Sequence, residues 1–319
     1  MKTVLLVLLF AAALLPARPA RASSAQADPF NFLFLDANAR PVAMGGAYTA
    51  LASDANALLY NPGGLGRIMR HQATFMHNEY FQDITQEYLS YVSPDGWGAA
   101  FNYLDYGRIT RTTISNHTGS GLGRVGATGI SVGCGYGWHL SNPMSAGAGV
   151  KFIKETLAGV SGQAFALDFG IIYNPPSISA FTLGAALQNL GPRVKFQSDT
   201  EHLPHNMRAG AAYIFGFGGL DGSVSFDLKK ERTGDVLYCG GLETVFSGVF
   251  PVRLGYGTGN DDGPGITAGL GYTLRNFSFD YAFVPFKDLG STHRFSVTLS
   301  WGGNTVTDQR KPASIYWTR

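Results

Sequence analysis

The sequence predicts an all-β protein, a transmembrane antiparallel β-barrel of about fourteen strands, on three observations. After residue 70, runs of about ten residues alternate apolar and polar side chains almost to the C-terminus, as in Arg294–Trp301. A strand turns successive side chains to opposite faces, and about ten residues let a tilted strand cross the hydrocarbon core of a bilayer. The chain also begins with a secretion signal, and only 14% of its residues are charged, against about a quarter in an average soluble domain.

The N-terminus has the parts of a signal peptide. Lys2 precedes an apolar stretch from Val4 to Leu15, and Ala20-Arg21-Ala22 supplies small residues for cleavage. We expect cleavage after Ala22, so that residues 1–22 are the signal peptide and the mature chain reaches a bacterial outer membrane. An uncleaved anchor is the alternative, although the stretch is too short to span a membrane as a helix. Cleavage removes three basic residues and leaves 21 basic and 22 acidic ones, which gives no support to nucleic-acid binding.

Fourteen candidate strands follow, separated by turn signals such as Pro94-Asp95-Gly96 and Asn142-Pro143. They are 71–79, 86–93, 97–106, 125–139, 144–156, 163–174, 178–189, 205–215, 219–229, 235–246, 250–258, 265–275, 276–284 and 292–301. An even number is the rule for single-chain outer-membrane barrels, and twelve or sixteen strands remain compatible with the periodicity. The longest expected extracellular loops are 107–124, 190–204 and 258–264.

The two faces of these strands differ in a way that favours a membrane barrel. One face is aliphatic with aromatic residues near the strand ends, and the other is rich in glycine and small polar residues, which leaves room for an internal plug. A soluble propeller would also alternate, but it would show a charged face and a blade repeat, and the sequence has neither. By the same alternation Cys134 should face lipid and Cys239 the lumen, so that no disulfide is expected.

Residues 23–70 lack the alternating pattern of the strands, and we predict that they form a hatch inside the barrel. The barrel itself spans residues 71–301, and a polar tail, residues 302–319, follows it. The hatch contains an aromatic run (Phe30, Phe32, Phe34) and many small residues that allow close backbone packing. Its predicted functional residues share one motif-rich stretch: Arg40, Pro41, Met44, Gly45, Gly46, Asp54, Asn56, Asn61, Pro62 and Gly64.

This stretch resembles the N-terminal signature of the PorV/PorQ family, which belongs to the wider FadL-like group of outer-membrane barrels. The resembling segments are Ala39–Ala57, Asn61–Leu65, Leu203–Gly210 and Asp280–Ser296. Two features depart from the family pattern. Gly63 stands where alanine is usual, and the tail continues beyond the terminal aromatic residue, Trp301.

The resemblance implies a fourteen-stranded barrel with a hatch and a non-enzymatic role. For the PorV branch, it implies an accessory or carrier for secreted proteins in a type IX-like secretion system, with client proteins or secretion components as partners. For the wider group, it implies passive transport of hydrophobic small molecules such as fatty acids. Because the PorV/PorQ signatures match better, the carrier role is the expectation and passive transport is the alternative. Outer-membrane lipid is the expected surrounding in either case.

No residue pattern indicates catalysis or a cofactor. No Gly-x-Ser-x-Gly motif accompanies the histidines, and His202 and His205 are a weak metal signal in a solvated loop. The remaining candidates are lumen charges: Asp227, Asp280 and Arg294 should face inward, and we expect salt bridges from the hatch residues Arg40 and Asp54 to this wall.

Overall fold

The computed structural model describes residues 29–302 except 82, 197–198, 218–219 and 261–262. The predicted signal peptide and nearly all of the predicted C-terminal tail therefore lie outside the described residues. No helix among the described residues is long and apolar enough to cross a membrane.

Fourteen antiparallel strands form a closed barrel, which confirms the predicted fold class. Consecutive strands pair around the wall, and the first strand pairs with the last to close it, with His71 opposite Trp301. The barrel strands are β1 His71–Glu79, β2 Thr85–Val92, β3 Trp97–Thr110, β4 Arg124–Ser141, β5 Met144–Leu157, β6 Val160–Tyr173, β7 Phe181–Leu190, β10 Asn206–Phe217, β11 Leu220–Glu231, β12 Val236–Phe246, β13 Phe250–Gly257, β14 Ile266–Leu274, β15 Phe277–Phe286 and β16 Gly290–Trp301. A small hairpin outside the wall, β8 Val194–Phe196 with β9 Asp199–Glu201, occupies the predicted loop 190–204.

The two rims of the barrel differ in their connections. At the rim where β1 begins and β16 ends, here called the terminal rim, connections such as 142–143 and 275–276 are short. The opposite rim, here called the distal rim, carries the longest connections, 111–123 and 191–205. Short turns on one side and long loops on the other are typical of outer-membrane barrels, whose long loops face outward.

The outer wall is an apolar belt. Side chains at alternate positions of β6 are exposed and apolar from Phe165 to Tyr173, and the facing strands continue the band. Aromatic residues collect at the terminal rim, where His71 stacks on Trp301 and Tyr91 packs on Trp97. The inner wall is the reverse: most of its buried side chains are polar or charged. Because a soluble protein buries its apolar face, this inverted arrangement fits a wall surrounded by lipid.

The hatch fills the lumen from the distal rim to the terminal rim. Its elements are the 3₁₀ turn η1 Asn31–Phe34, the helices α1 Ala39–Ala43 and α2 Ala57–Tyr60, and the 3₁₀ turn η2 Pro62–Arg67. Asparagine begins two of them: the Asn38 side chain accepts from the Arg40 amide, and the Asn61 side chain accepts from the Gly63 amide. Asparagine is favoured at these positions because its side-chain oxygen satisfies an amide that has no partner within the helix.

Candidate functional site

The tip of the hatch occupies an apolar chamber at the distal end of the lumen. Phe30 and Phe32 are 0% and 1% exposed there. The residues around them, here called the tip cluster, come from β3, β5, β6 and the distal loop: Leu104, Ile153, Ala164, Ala166, Val194 and Leu203. A Cβ placed on Gly129 would lie 2.7 Å from the Phe32 ring, so the wall has a glycine where the ring approaches most closely. The chamber is one of several apolar clusters between the hatch and the wall, and the protein fills this one with Phe30 and Phe32 of the hatch.

A buried carboxylate holds this tip in place. Glu155 on β5 is 3% exposed, and its side chain accepts a 2.6 Å hydrogen bond from the Phe30 amide. The same carboxylate accepts a 3.0 Å bond from the Tyr106 hydroxyl. Tyr106 lies where the pairing of β3 with β4 shifts register, between Asp105 and Arg108. Glu155 therefore connects the hatch tip to an irregular part of the wall.

Lower in the lumen, an ionic network ties α1 to the wall. Arg40 donates from Nε and Nη2 to Glu243 on β12, at 2.9 and 2.8 Å, and from Nη1 to Asp54 at 3.2 Å. Burial alone would lower the pKa of Arg40, but the Glu243 carboxylate outweighs burial and raises this pKa well above its ordinary range. The arginine therefore stays charged, and the carboxylates around it compensate that charge.

The expected hatch-to-wall salt bridge thus exists, but its wall partner is Glu243 and not the predicted Asp227 or Asp280. Asp280 pairs within the wall with Arg253 at 2.5 Å, and Arg253 also donates to Glu243 at 2.6 Å. Arg294 was expected to join these charges, yet it donates to the Tyr80 hydroxyl at 2.5 Å and lies under that ring. Both residues face inward, but Asp280 is paired by the neighbouring Arg253 and Arg294 is held by Tyr80, so neither bonds to the hatch charges.

Asp227 contacts the hatch through hydrogen bonds. One oxygen, Oδ2, accepts from the Tyr48 amide at 3.0 Å, the Thr49 amide at 2.9 Å and the Thr49 hydroxyl at 2.6 Å. The other oxygen, Oδ1, has no hydrogen-bond partner among the described residues. Three donors on one oxygen fix the segment 48–49 against β11.

Glycines let the hatch backbone rest directly on the wall. Gly45, at φ +65°, lies so close to β13 that a Cβ on it would be 2.5 Å from the Tyr256 carbonyl oxygen. At the terminal rim, a Cβ on Gly147 of β5 would lie 2.1 Å from the Pro62 carbonyl oxygen. Asn61 donates there to the carbonyls of Thr49 and Ile171, at 2.9 and 3.0 Å. These glycines explain the small-residue inner face that the sequence shows.

The other predicted hatch residues serve the same packing. Met44 is buried next to Gly241 of β12, and Gly46 takes a positive φ of 80°. A Cβ on Gly64 would lie 1.5 Å from the Ala52 carbonyl oxygen, so this position admits only glycine without a shift of the hatch. Pro41 lies buried inside α1, and Asn56 is 3% exposed beside the Arg40 network. The motif residues therefore form the hatch and its contact surface with the wall.

A partly open cavity of about 50 Å³ lies beside the hatch. Its wall includes Asp36, which pairs with Arg208 at 3.1 Å, and Lys151, which pairs with Asp168 at 2.8 Å. Burial would raise the pKa of Asp36, but the charges of Arg208 and Lys229 outweigh it and lower this pKa below its ordinary value. Among the described residues, no group of three or more His, Cys, Asp or Glu is arranged to hold a metal ion.

Sequence reasoning missed Glu155, Glu243, Arg253, Arg208 and Asp36. Four of these are charged residues at inward positions of their strands, which the alternation could have marked; Glu243 and Arg253 even face each other in register. Their pairing with particular hatch residues depends on where the hatch lies in the lumen, and local sequence does not contain that information.

Comparison with known proteins supports the fold. Residues 15–156 match the model of UPF0164, described as an uncharacterised protein family. No curated protein matches the chain. Among solved structures, the Pseudomonas putida toluene transporter TodX is similar with a TM-score of 0.56 at 11% identity, covering 83% of this chain and 98% of that one. The CymD monoaromatic hydrocarbon channel is similar with a TM-score of 0.54 at 12% identity, covering 82% and 96%. The chain therefore shares the barrel fold of TodX and CymD, and none of these matches shows the finer PorV/PorQ branch.

Proposed function

We propose that this protein is a non-enzymatic outer-membrane channel for hydrophobic small molecules, closed by its hatch. The observation that carries the proposal is the tip cluster, an apolar chamber at the distal end of the lumen that holds Phe30 and Phe32. A hydrocarbon of similar size has the chemistry of these side chains and could replace them in the same chamber.

The outer surface and the loops of the barrel support a channel that lies in the outer membrane. The exposed apolar belt fits outer-membrane lipid, and the longer loops place the distal rim toward the outside. The tip cluster then lies at the outer end of the lumen, where a hydrophobic compound entering from the medium arrives first. Two structural neighbours, a toluene transporter and a monoaromatic hydrocarbon channel, act on compounds of this class.

In this conformation the lumen is closed. The cavity of about 50 Å³ beside the hatch is small, since a cavity of roughly 150 Å³ is the scale that admits benzene. Passage therefore needs displacement of the tip, and the bond between Glu155 and the Phe30 amide is what displacement must break.

The proposal is tested by transfer of radiolabelled naphthalene into vesicles with a lipopolysaccharide outer leaflet. We expect the wild-type protein to speed transfer over empty vesicles, and Phe32→Ala to speed it further because it opens volume in the chamber. Phe75→Ala is the matched control, because Phe75 is a 48% exposed side chain of the belt. Transfer at the rate of empty vesicles by both wild type and Phe32→Ala would refute the proposal.

A second experiment tests the protein-carrier role that the PorV/PorQ resemblance implies. The protein is purified from native membranes in mild detergent, and mass spectrometry of what co-purifies distinguishes the carrier role from the channel role. Secreted proteins that share one C-terminal domain would favour the carrier role, whereas a stoichiometric hydrophobe without a protein partner would favour the channel.

A further inference from the structure

The outer face of β3, β4 and β5 carries a group of cations near the distal rim. On β4 the outward positions include those of Val132 and Ile130 and continue at every second residue to Arg124. Arg108 of β3 and Lys154 of β5 lie opposite outward positions of this strand. All three cations are exposed on the outside of the wall, and we call them the outer basic patch.

The positive charge of this patch is not compensated within the protein. The three side chains make no hydrogen bond or ion pair with any residue that the structure describes. Asp105 is the acid on the outer face of these strands, and its carboxylate accepts from the Gly107 amide at 2.9 Å. In the lumen, by contrast, Arg40 and Arg253 are both paired with Glu243. The outer basic patch therefore presents excess positive charge to whatever surrounds the barrel.

The patch begins where the apolar belt ends. The outward side chains of β4 are apolar or aromatic from Trp138 to Ile130, and the next outward residue is Thr128. Lys154 lies opposite Ile130, at the margin of the belt, where a lysine can extend its ammonium group toward lipid head groups. Because a strand tilted by about 45° rises about 2.3 Å per residue, Arg124 lies roughly 14 Å beyond Ile130. The cations thus stand at different heights above the hydrocarbon core.

This arrangement suits a lipid whose head group carries acidic groups at more than one height. Arginine binds phosphate through paired hydrogen bonds, and lysine binds it as a point charge. A glycerophospholipid has its phosphate at a single level next to the acyl chains. A lipopolysaccharide has phosphates on the sugars of its head group and acidic sugars above them. The long loops place the distal rim, and the patch with it, in the outer leaflet, where lipopolysaccharide lies.

We propose that the outer basic patch binds the acidic head group of a phosphorylated glycolipid of the lipopolysaccharide type. Lys154 contacts the phosphate nearest the acyl chains, and Arg108 and Arg124 contact the acidic groups above it. The acyl chains lie on the belt beside Phe152 and Phe165, whose ring centroids are 5.4 Å apart. This site is on the outside of the wall and does not depend on the proposed channel function.

The test is titration of the purified full-length protein in detergent with Kdo2-lipid A, followed by native mass spectrometry. We expect wild type to form a saturable complex. Replacing the whole patch, as Arg108→Gln with Arg124→Gln and Lys154→Gln, should weaken binding roughly a hundredfold, since each cation near an anionic membrane surface contributes about fivefold. Enzymatic or chemical removal of the phosphates from the lipid should weaken its binding to wild type by at least about tenfold.

The matched control removes the same charge from exposed positions outside the patch and should bind as wild type does; it carries Lys230→Gln, Arg275→Gln and Lys287→Gln. Failure of wild type to bind, or a patch variant that binds as tightly as this control, would overturn the proposal. So would equal binding of the dephosphorylated lipid or of phosphatidylglycerol, which has its phosphate at a single level. Folding is checked by the shift in gel mobility on heating that β-barrels show. If the triple patch variant does not fold, Arg124→Gln alone should still lose about fivefold.

Discussion

Replacing Arg40 with methionine should release α1 of the hatch while the barrel stays folded. Arg40 makes three charged hydrogen bonds, two of them to Glu243, a carboxylate that is 2% exposed. Removing one partner of a buried ion pair costs about 3–5 kcal/mol. Because Arg253 still neutralises Glu243 at 2.6 Å, we expect the lower end, about 3 kcal/mol. That energy corresponds to a roughly hundredfold rise in the population of the undocked hatch.

The assay is amide hydrogen exchange followed by mass spectrometry in lipid nanodiscs. Peptides covering residues 38–56 should lose protection by up to two orders of magnitude, and peptides of the barrel strands should not change. Arg70→Met is the matched control, because Arg70 bonds to Gly302 and Asn276 at the exposed terminal rim. Protection of 38–56 within threefold of wild type in Arg40→Met would refute the view that this network holds the hatch.

Three further predictions follow from the packing and charges. Gly147→Ala should loosen η2, since its Cβ would lie 2.1 Å from a hatch carbonyl, whereas Gly240→Ala, with nothing within 4 Å, should be silent in the same exchange assay. A charged thiosulfonate should label Cys239, which the lumen partly exposes, and should not label Cys134 on the lipid-facing wall, as mass spectrometry of labelled nanodiscs would show. The pKa of Asp36 is lowered from its ordinary 3.8. Its ion pair with Arg208 should therefore stabilise the hatch at pH 5–7, and this stabilisation should be lost only as the pH falls through the lowered pKa. A loss of exchange protection in residues 31–37 between pH 6 and 5 would contradict this.

The alternation of side chains was sufficient to predict the barrel because each strand carries its own two-sided pattern. Phe165 to Tyr173 face lipid as the pattern requires, and the strand count follows from turn residues that act locally. The extents of β3 and β4 were underestimated, since residues 108–110, which were expected in a loop, pair with residues 124–126 of β4 beyond a register shift.

The hatch contacts could be predicted only in part. Small residues and Asn-Pro-Gly turns indicate a compact plug, but the partner of Arg40 is 203 residues away in sequence. Whether Glu243, Asp227 or Asp280 receives that arginine depends on the depth and rotation of the hatch in the lumen. These are properties of the closed barrel as a whole, which no single segment encodes.

The pairing of β1 with β16 has a consequence for how the protein is made. The hatch immediately precedes β1, and its tip lies at the far end of the lumen, bonded to Glu155. A hatch that entered after closure would have to pass Phe30 and Phe32 through a polar interior already lined with paired charges. The topology therefore favours an assembly order in which the strands curl around the N-terminal segment and the His71–Trp301 seam closes last. In that order the strands assemble around the hatch, which then sets the shape of the lumen. A hatch added as a separate peptide should therefore not restore folding to a chain that lacks it.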